Sequence, residues 1–553
     1  MFIPKLITCL KNYSRDQFVK DIISGIIVAI IALPLSIALA IASGASPEKG
    51  LYTAIIGGFF VSFLGGSRVQ IGGPTGAFVV IIFGIIQKYG LDGLIIATIM
   101  AGFFLMIMGF FKFGSLIKYI PSSITTGFTS GIAIVILSTQ IKDFFGLQIK
   151  SVPSEFLSKW ESYITHFNTL NYQSLLIALL TLAIIIIWPK INKKIPGTFV
   201  AIVIVTIITM VFKLNITTIG SQFGNIPSSF PKFAFPHISF QLINELMLPA
   251  LTIAILGAVE SLLSAVVADG MIGGKHRSNM ELIAQGAANI FSGAFGGIPV
   301  TGAIARTAAN VKNGGRTPVA GIVHSISLLV IMLLFMPYVK LIPMSSLAAI
   351  LVVVAYNMGE WEIFFKLSKA PRSDAFVFLV TFFLTMFLDL VVAIGVGVVL
   401  SSFLFMRKMA EMTDVKYILD DMNEKDVIEL LENVNTAEDI SIYEINGPFF
   451  FGAANKFVNT IREMGKPTKI LIIKMSKVPF MDATAYHSFE MLYDMCKKHH
   501  TKLILLKPKE QPLSVLSKYG FLKLIGEENL CDNIEQAIDR ANIILDNKKV
   551  VGE

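Results

Sequence analysis

The sequence predicts an all-α polytopic membrane domain of fourteen spans, followed by a small soluble α/β domain. Three observations carry this prediction. First, the 553 residues are 54% hydrophobic and only 15% charged, with a mean hydropathy of +0.70. A soluble domain carries roughly 25% charged residues. Forty-three Phe and long Ile/Leu/Val runs need a solvent other than water. A soluble enzyme, a disordered chain and a disulfide scaffold are excluded. Second, charge changes abruptly along the chain. Residues 1–406 hold 26 Lys/Arg and 15 Asp/Glu, whereas the shorter stretch 407–553 holds 20 and 23. Third, two short, broken apolar segments share a motif and lie seven spans apart.

The spans read as 22–42, 52–66, 74–89, 92–112, 124–146, 174–190, 196–213, 247–269, 281–298, 301–312, 318–337, 341–357, 374–390 and 391–407. A full crossing needs about 20 apolar residues, and shorter broken spans are tolerated inside protein. An even number places both termini on one side. With the N-terminus inside, the inner segments before residue 407 carry 17 Lys/Arg and the outer ones 8. The positive-inside rule therefore favours cytoplasmic termini in a cell (inner) membrane. Met1–Lys20 is polar and basic, unlike a cleavable signal. Cys9, Cys496 and Cys531 share no disulfide or zinc spacing, so free thiols are expected. The domain boundaries expected are 1–408 for the membrane domain, 409–435 for a linker and 436–553 for the soluble domain.

The third span opens Gly72-Gly73-Pro74-Thr75-Gly76-Ala77-Phe78. The tenth opens Gly296-Gly297-Ile298-Pro299-Val300-Thr301-Gly302-Ala303-Ile304. Each reads Gly-Gly, then Pro, then Thr-Gly-Ala and an apolar residue. Seven spans per copy is an odd number, so the two halves are inverted in the membrane. Glycine and proline break each span into an extended stretch and a half-helix. Such a half-helix begins at mid-membrane with free N–H groups and partial positive charge. Two of them facing each other make an anion site built largely from backbone. The alternative is a kink in two packed helices.

Ionisable groups inside the membrane are costly and mark function by default. Glu260 lies in the middle of span eight. It reads as a coupling carboxylate for H⁺ or Na⁺, or as a structural partner of Arg306. Ser264 is one turn further along the same face and is a candidate beside it. For Ser261 and Ser264 alike, a hydroxyl bonding back to its own helix is the equal alternative. Arg306, one turn into the tenth half-helix, either adds positive potential to the anion site or neutralises Glu260. Ser36 follows the Pro34 kink of span one and is a candidate for the same cavity, with a plain packing kink as the equal alternative. Asp269 and Asp389 read as structural, and His276 and His324 take no role.

At these residues the chain resembles the sulfate permease family, called solute carrier family 26 in animals. The likeness rests on Ala32-Leu33-Pro34-Leu35-Ser36-Ile37-Ala38, Gly50-Leu51-Tyr52-Thr53-Ala54, Gly73-Pro74-Thr75 and Asp269-Gly270. It continues through Glu281–Ile290 and Gly297–Asn310. The resemblance implies a core domain (spans 1–4 and 8–11) and a gate domain (spans 5–7 and 12–14). It also implies an elevator-like motion and a homodimer. The anion would sit between spans three and ten, beside spans one and eight. Thr75, Gly76, Ala77, Phe78, Thr301, Gly302, Ala303 and Ile304 would then bind substrate, with Ser36 and Arg306. Glu at position 260 leans toward H⁺ coupling, as in proton-coupled bacterial members.

The tail alternates β-like and helical patterns. Ile440–Ile445, Lys469–Met475 and Thr501–Leu506 read as strands, and Gly452–Met464 and Ala483–Lys498 as helices. It resembles a STAS domain at Gly447–Ala454 and Val478–Ala485. In that family an Asp-Ser-Ser-Gly turn holds a phosphorylated serine. Thr484 takes the matching position here, after Asp482, with Ala485 in place of Gly.

The function expected is secondary active transport of a small inorganic or organic anion, of the bicarbonate, sulfate or C4-dicarboxylate class, coupled to H⁺ or Na⁺. Alternatives are a passive anion channel, an anion exchanger, a nucleobase permease, or a membrane-tethered sensor signalling through the tail. Na⁺ as coupling ion is the sole cofactor considered. A cytoplasmic protein partner for the tail is anticipated, and no nucleic acid. No nucleophile–base pair, metal cluster or cofactor loop suggests an enzyme.

Overall fold

The computed structural model describes the chain apart from residues 1, 12, 116–120, 150–151, 154, 193–194, 225, 234–235, 237–238, 368, 370, 389, 418–438, 451–456, 458–467 and 551–553. It divides into two compact units, Met1–Val398 and Val399–Glu553. Asp389, most of the expected linker and the helix expected over Gly452–Met464 lie outside the described residues, Phe457 excepted.

Every predicted span contains a helix, the last of them running on past Val398. After α1 (Lys5–Leu10), α2 (Arg15–Ala42) forms span one and is capped by the Ser14 hydroxyl. Span two is α3 (Pro47–Tyr52), a π-helical turn over Thr53–Gly57, and α4 (Gly58–Leu64). Strand β1 (Gly72–Gly73) and a 3₁₀ turn, Gly76–Phe78, lead into α5 (Val79–Phe110). Helix α5 is two helices, spans three and four, that meet at Gly90, whose φ of 69° suits glycine. Then follow α6 (Ser122–Phe145), α7 (Phe156–Thr165), α8 (Tyr172–Ile191), α9 (Gly197–Val211) and α10 (Ile219–Phe223). The second half holds α11 (Phe240–Ile272), α12 (Ser278–Ala294), β2 (Thr301–Gly302), α13 (Ile304–Lys312) and α14 (Val319–Val339). It ends with α15 (Met344–Met358), α16 (Trp361–Leu367), α17 (Arg372–Phe387) and α18 (Leu390–Glu411). Among the described residues, eight helical segments are long and apolar enough to cross a membrane by themselves.

Packing sorts these helices into two groups. Helix α5 lies on α11 and α12, α2 on α14, and α13 on α11 and α2. Helix α6 lies on α15 and α17, and α8 on α9 and α15. The groups follow the core and gate division. Within the first group, α5 and α12 touch backbone to backbone. A Cβ on Gly102 would lie 2.6 Å from the Gly286 carbonyl oxygen, and the reverse is also true. Apolar helices in lipid gain no hydrophobic term by pairing, so close small-residue contact supplies the attraction.

The second unit has a five-stranded sheet in the order β3-β4-β5-β6-β7. The strands are β3 (Asp414–Tyr417), β4 (Ile440–Asn446), β5 (Ile470–Lys477), β6 (Lys502–Leu506) and β7 (Leu530–Cys531). Pairing is antiparallel for β3–β4 and parallel for the rest. The edge strands β3 and β7 were not expected, and β3 lies inside the stretch expected to be linker. Both faces of the sheet are buried, so its strands read as continuous apolar runs. Ile445, Leu471, Ile473 and Leu505 face Phe489 and Leu492 of the helix Ala483–Lys498. Ile442, Ile472 and Ile504 face Ala537 and Ala541 of the helix Ile534–Val550. The Asp482 carboxylate accepts from the Ala485 N–H at 2.7 Å and caps the first of these helices, while Thr484 is exposed. Burial pushes the Cys496 thiol up to about 12.

Candidate functional site

Two extended stretches cross in the core group. Gly72 pairs with Gly302 and Gly73 with Thr301 in an antiparallel ladder, and the Ala303 N–H donates to the Ile71 carbonyl at 2.9 Å. The two copies of the repeat motif are thereby held together in opposite directions. The Arg306 guanidinium occupies the space a Cβ on Gly73 would take, so a side chain there would displace Arg306.

Extended backbone in a membrane leaves its N–H and C=O groups without water, so side chains must satisfy them. A row of buried polar groups does this. The Glu281 carboxylate accepts from the Gly66 and Ser67 N–H groups at 2.8 and 2.9 Å, and from Gln285 at 2.9 Å. Asn289 accepts from the Val300 N–H at 3.0 Å and donates to the Val300 carbonyl at 2.8 Å. Thr53, in the π turn, accepts from the Ile298 N–H at 2.7 Å. Asn310 donates to the Val69 carbonyl at 2.8 Å, and Thr307 accepts from the Ile71 N–H at 3.1 Å. Gln70 donates to the Ser261 carbonyl at 3.1 Å. The motifs in the sequence assign none of these a role. The signal was present in α12, where Glu281, Gln285 and Asn289 recur every four residues on an otherwise small and apolar helix.

The half-helices start beyond this scaffold. Thr75 (φ −130°, ψ 162°) precedes the Gly76–Phe78 turn, and Ala303 (φ −90°, ψ 112°) precedes α13. Both are extended, and neither start has a side-chain cap. The first N–H groups of both helices therefore keep their donor capacity and positive potential. Thr75, Gly76, Ala77, Phe78, Thr301, Gly302 and Ala303 are buried, while Ile304 is 39% exposed. The Phe78 ring packs on α11, with its tip 3.5 Å from where a Cβ on Gly257 would stand.

Glu260 meets the first half-helix directly. Its carboxylate accepts a hydrogen bond from the Thr75 hydroxyl at 2.9 Å. Arg306 is 2% exposed and donates to the Pro74 carbonyl at 2.9 Å. Its Nη1 has no hydrogen-bond partner, and no carboxylate among the described residues lies within ion-pair distance. The alternative of a direct Glu260–Arg306 pair is thus not what forms, because the guanidinium is turned onto the opposite extended stretch. Ser261 does not bond back to its own helix. Its hydroxyl pairs with Thr301 and accepts from the Gly302 N–H at 3.1 Å. Ser264 is fully buried and donates to Thr307 at 3.3 Å, which directs it into the scaffold. Ser36 lies against α3, where Gly50 sits on its carbonyl, and its buried hydroxyl has no partner among the described residues. Asp269 accepts from the N–H and the ring nitrogen of His276, both at 2.7 Å, in a surface turn. His324 is fully buried in α14 with neither ring nitrogen hydrogen-bonded.

The fold defines a polytopic membrane protein in which two half-helices start from a pair of crossed extended stretches. Residues 18–381 match the sulfate permease family and residues 433–537 match the STAS domain. The putative sulfate transporter YvdB of Bacillus subtilis is 40% identical over 95% of this chain and 98% of its own. The bicarbonate transporter BicA of Picosynechococcus is 30% identical over 94% of both chains. The solved structure of the murine Solute Carrier 26 family member A9 anion transporter, in the inward-facing state, superposes with a TM-score of 0.86 at 20% identity, covering 98% of this chain and 94% of that one. The chain belongs to the sulfate permease family, as an anion transporter with a C-terminal STAS domain.

Proposed function

We propose that the protein is a secondary active transporter of a small anion of the bicarbonate, sulfate or C4-dicarboxylate class, driven by H⁺ or Na⁺ through Glu260. The carrying observation is the 2.9 Å hydrogen bond from Thr75 to Glu260. Thr75 is the last extended residue before the first half-helix, so a change of charge at Glu260 acts on the geometry of the anion site. A carboxylate bearing H⁺ or Na⁺ lowers the negative charge beside the incoming anion, which favours binding the two together. Anion and cation then cross as one load. The separation of helices into two packing groups supports an elevator-like motion of the core against the gate, and a homodimer is part of the same proposal. The excess of Lys/Arg in the inner segments supports cytoplasmic termini and a cytoplasmic tail.

The test is uptake by the purified protein in liposomes. Labelled bicarbonate, sulfate and succinate are each offered with an inward H⁺ gradient and then an inward Na⁺ gradient. Accumulation of one anion above its equilibrium level under one gradient names both substrate and coupling ion. Flux that never exceeds equilibrium under either gradient refutes symport and leaves a channel or exchanger.

A further inference from the structure

A second polar constellation lies away from the half-helices. A cavity of about 550 Å³ opens between the two helix groups, on the membrane face opposite α1. Its walls are the C-terminal end of α2, the first turns of α5, the C-terminal ends of α6 and α17, and α7, α10 and α15. It runs inward to Val79 and Val80, which directly follow the Gly76–Phe78 turn. The cavity therefore leads from that face to the first half-helix.

Helix α7 presents Lys159 and Tyr163 to this cavity. They are four residues apart, on one helical face. Lys159 is 5% exposed and Tyr163 is 2% exposed. Among the described residues the Tyr163 hydroxyl is buried without a hydrogen-bond partner, and no side-chain hydrogen bond or ion pair to Lys159 is found. Lys142, Asp143 and Glu155 also line the cavity, but neither carboxylate comes within ion-pair distance of the ammonium. A buried ammonium without a counter-charge is costly, and an unpaired buried phenol adds to that cost. Both groups are donors. An anion that reached both donors would satisfy them, with the Asp143 carboxylate, whose charge acts on Tyr163, set against it.

We propose that Lys159 and Tyr163 form an anion-collecting site in this vestibule, occupied by the small anion on its way to the half-helices. The ammonium supplies the charge and the phenol O–H a directed hydrogen bond. The identity of the ligand as transport substrate rests on the transport reading above; the existence of the site does not.

The site is tested without transport by thiol chemistry. Thr139→Cys, and separately Gln87→Cys on the facing wall, place a reporter in the cavity. The parent chain, with its three native cysteines, is the control. Methanethiosulfonates bearing a sulfonate or a trimethylammonium group are compared. A unit charge in a low-dielectric cleft strongly biases the local concentration of ions. Lys159→Gln should lower the anionic-to-cationic rate ratio at least about fivefold, and sulfate or bicarbonate should slow the anionic reagent only when Lys159 is present. In liposomes, Lys159→Gln should raise the half-saturating anion concentration on the vestibule side about fivefold, with the maximal rate within about twofold and Lys159→Arg near the parent. Tyr163→Phe should give a smaller rise. An unchanged rate ratio at both reporters overturns the site. So does a fall in maximal rate alone, which would mark Lys159 as structural. A parent that moves no anion, but whose reagent ratio depends on Lys159, keeps the site and removes the transport reading.

Discussion

Glu260→Gln separates binding from coupling. The amide matches the carboxylate in shape and still accepts from the Thr75 hydroxyl, at 2.9 Å in the parent. It neither takes up a proton in the working range nor holds Na⁺ as an anion would. The bond to Thr75 becomes neutral. Hydrogen bonds to charged groups contribute roughly 1.5–3 kcal/mol and neutral ones roughly 0.5–1.5, so about 1 kcal/mol is lost at Thr75. That is about a fivefold weakening of the local geometry, and too little to unfold the domain. The effect on coupling is larger in kind. With one H⁺ per anion and no membrane potential, a gradient of one pH unit supplies about 1.4 kcal/mol, or a tenfold accumulation. In the variant the accumulation ratio should fall to unity while downhill flux persists. The assay is gradient-driven uptake of the anion identified for the parent, with efflux of preloaded anion as the measure of downhill flux. Accumulation above equilibrium by the variant, still dependent on the cation gradient, would refute the coupling role of Glu260.

Other substitutions test the site and its support. Arg306→Ala removes the donor to Pro74 and the positive charge behind Gly73, so anion affinity should fall about tenfold; unchanged affinity in a binding assay would make Arg306 purely structural. Asn289→Ala leaves both the N–H and the C=O of Val300 unpaired in a dry interior, at roughly 1–3 kcal/mol each. A clear drop in melting temperature in detergent is expected, and a drop under about 1 °C would count against the scaffold role. Lys159 bears on pH. Burial pulls its ammonium down to about 8 from 10.5, with Lys142, Asp143, Glu155 and Tyr163 facing it in the cavity. Between pH 8 and 10.5 the unfolded chain binds the extra proton, so stability rises with pH in that window. Lys159→Met should therefore melt higher than the parent at pH 7, by about 3 kcal/mol at most, and the gap should close above pH 10. A gap that persists at high pH would assign it to packing.

The broken spans were legible because glycine and proline break helices by local covalent geometry, which needs no partner. Glu260 and Arg306 were legible because charge within apolar runs is rare in any context. The strands at 440–446, 470–477 and 502–506 and the helix at 483–498 were legible for a similar reason: burial on two faces or on one stripe leaves a continuous or periodic pattern. The edge strands β3 and β7 were not, since they are short and one of them precedes the sheet by a long stretch of chain. Nor were the partners of the charges. Thr75 and Glu260 are 185 residues apart, and Arg306 and Pro74 are 232 apart. Whether Arg306 pairs with Glu260 or with a carbonyl depends on a few ångströms of helix packing, and composition carries no record of that.

The sequence by itself determined that the chain lives in a membrane, that its halves repeat in inverted order, and that two spans are broken into an extended stretch and a half-helix. Those properties follow from hydropathy, backbone stereochemistry and an odd number of spans per repeat. Only the tertiary structure decided that β1 and β2 cross, that Glu281, Asn289 and Asn310 satisfy the extended backbone, and that Thr75 binds Glu260. It alone brought Lys159 and Tyr163 to a cavity without partners. Hydrogen bonds and cavities are set by the relative placement of elements distant in sequence, and that placement is a property of the packed helices together.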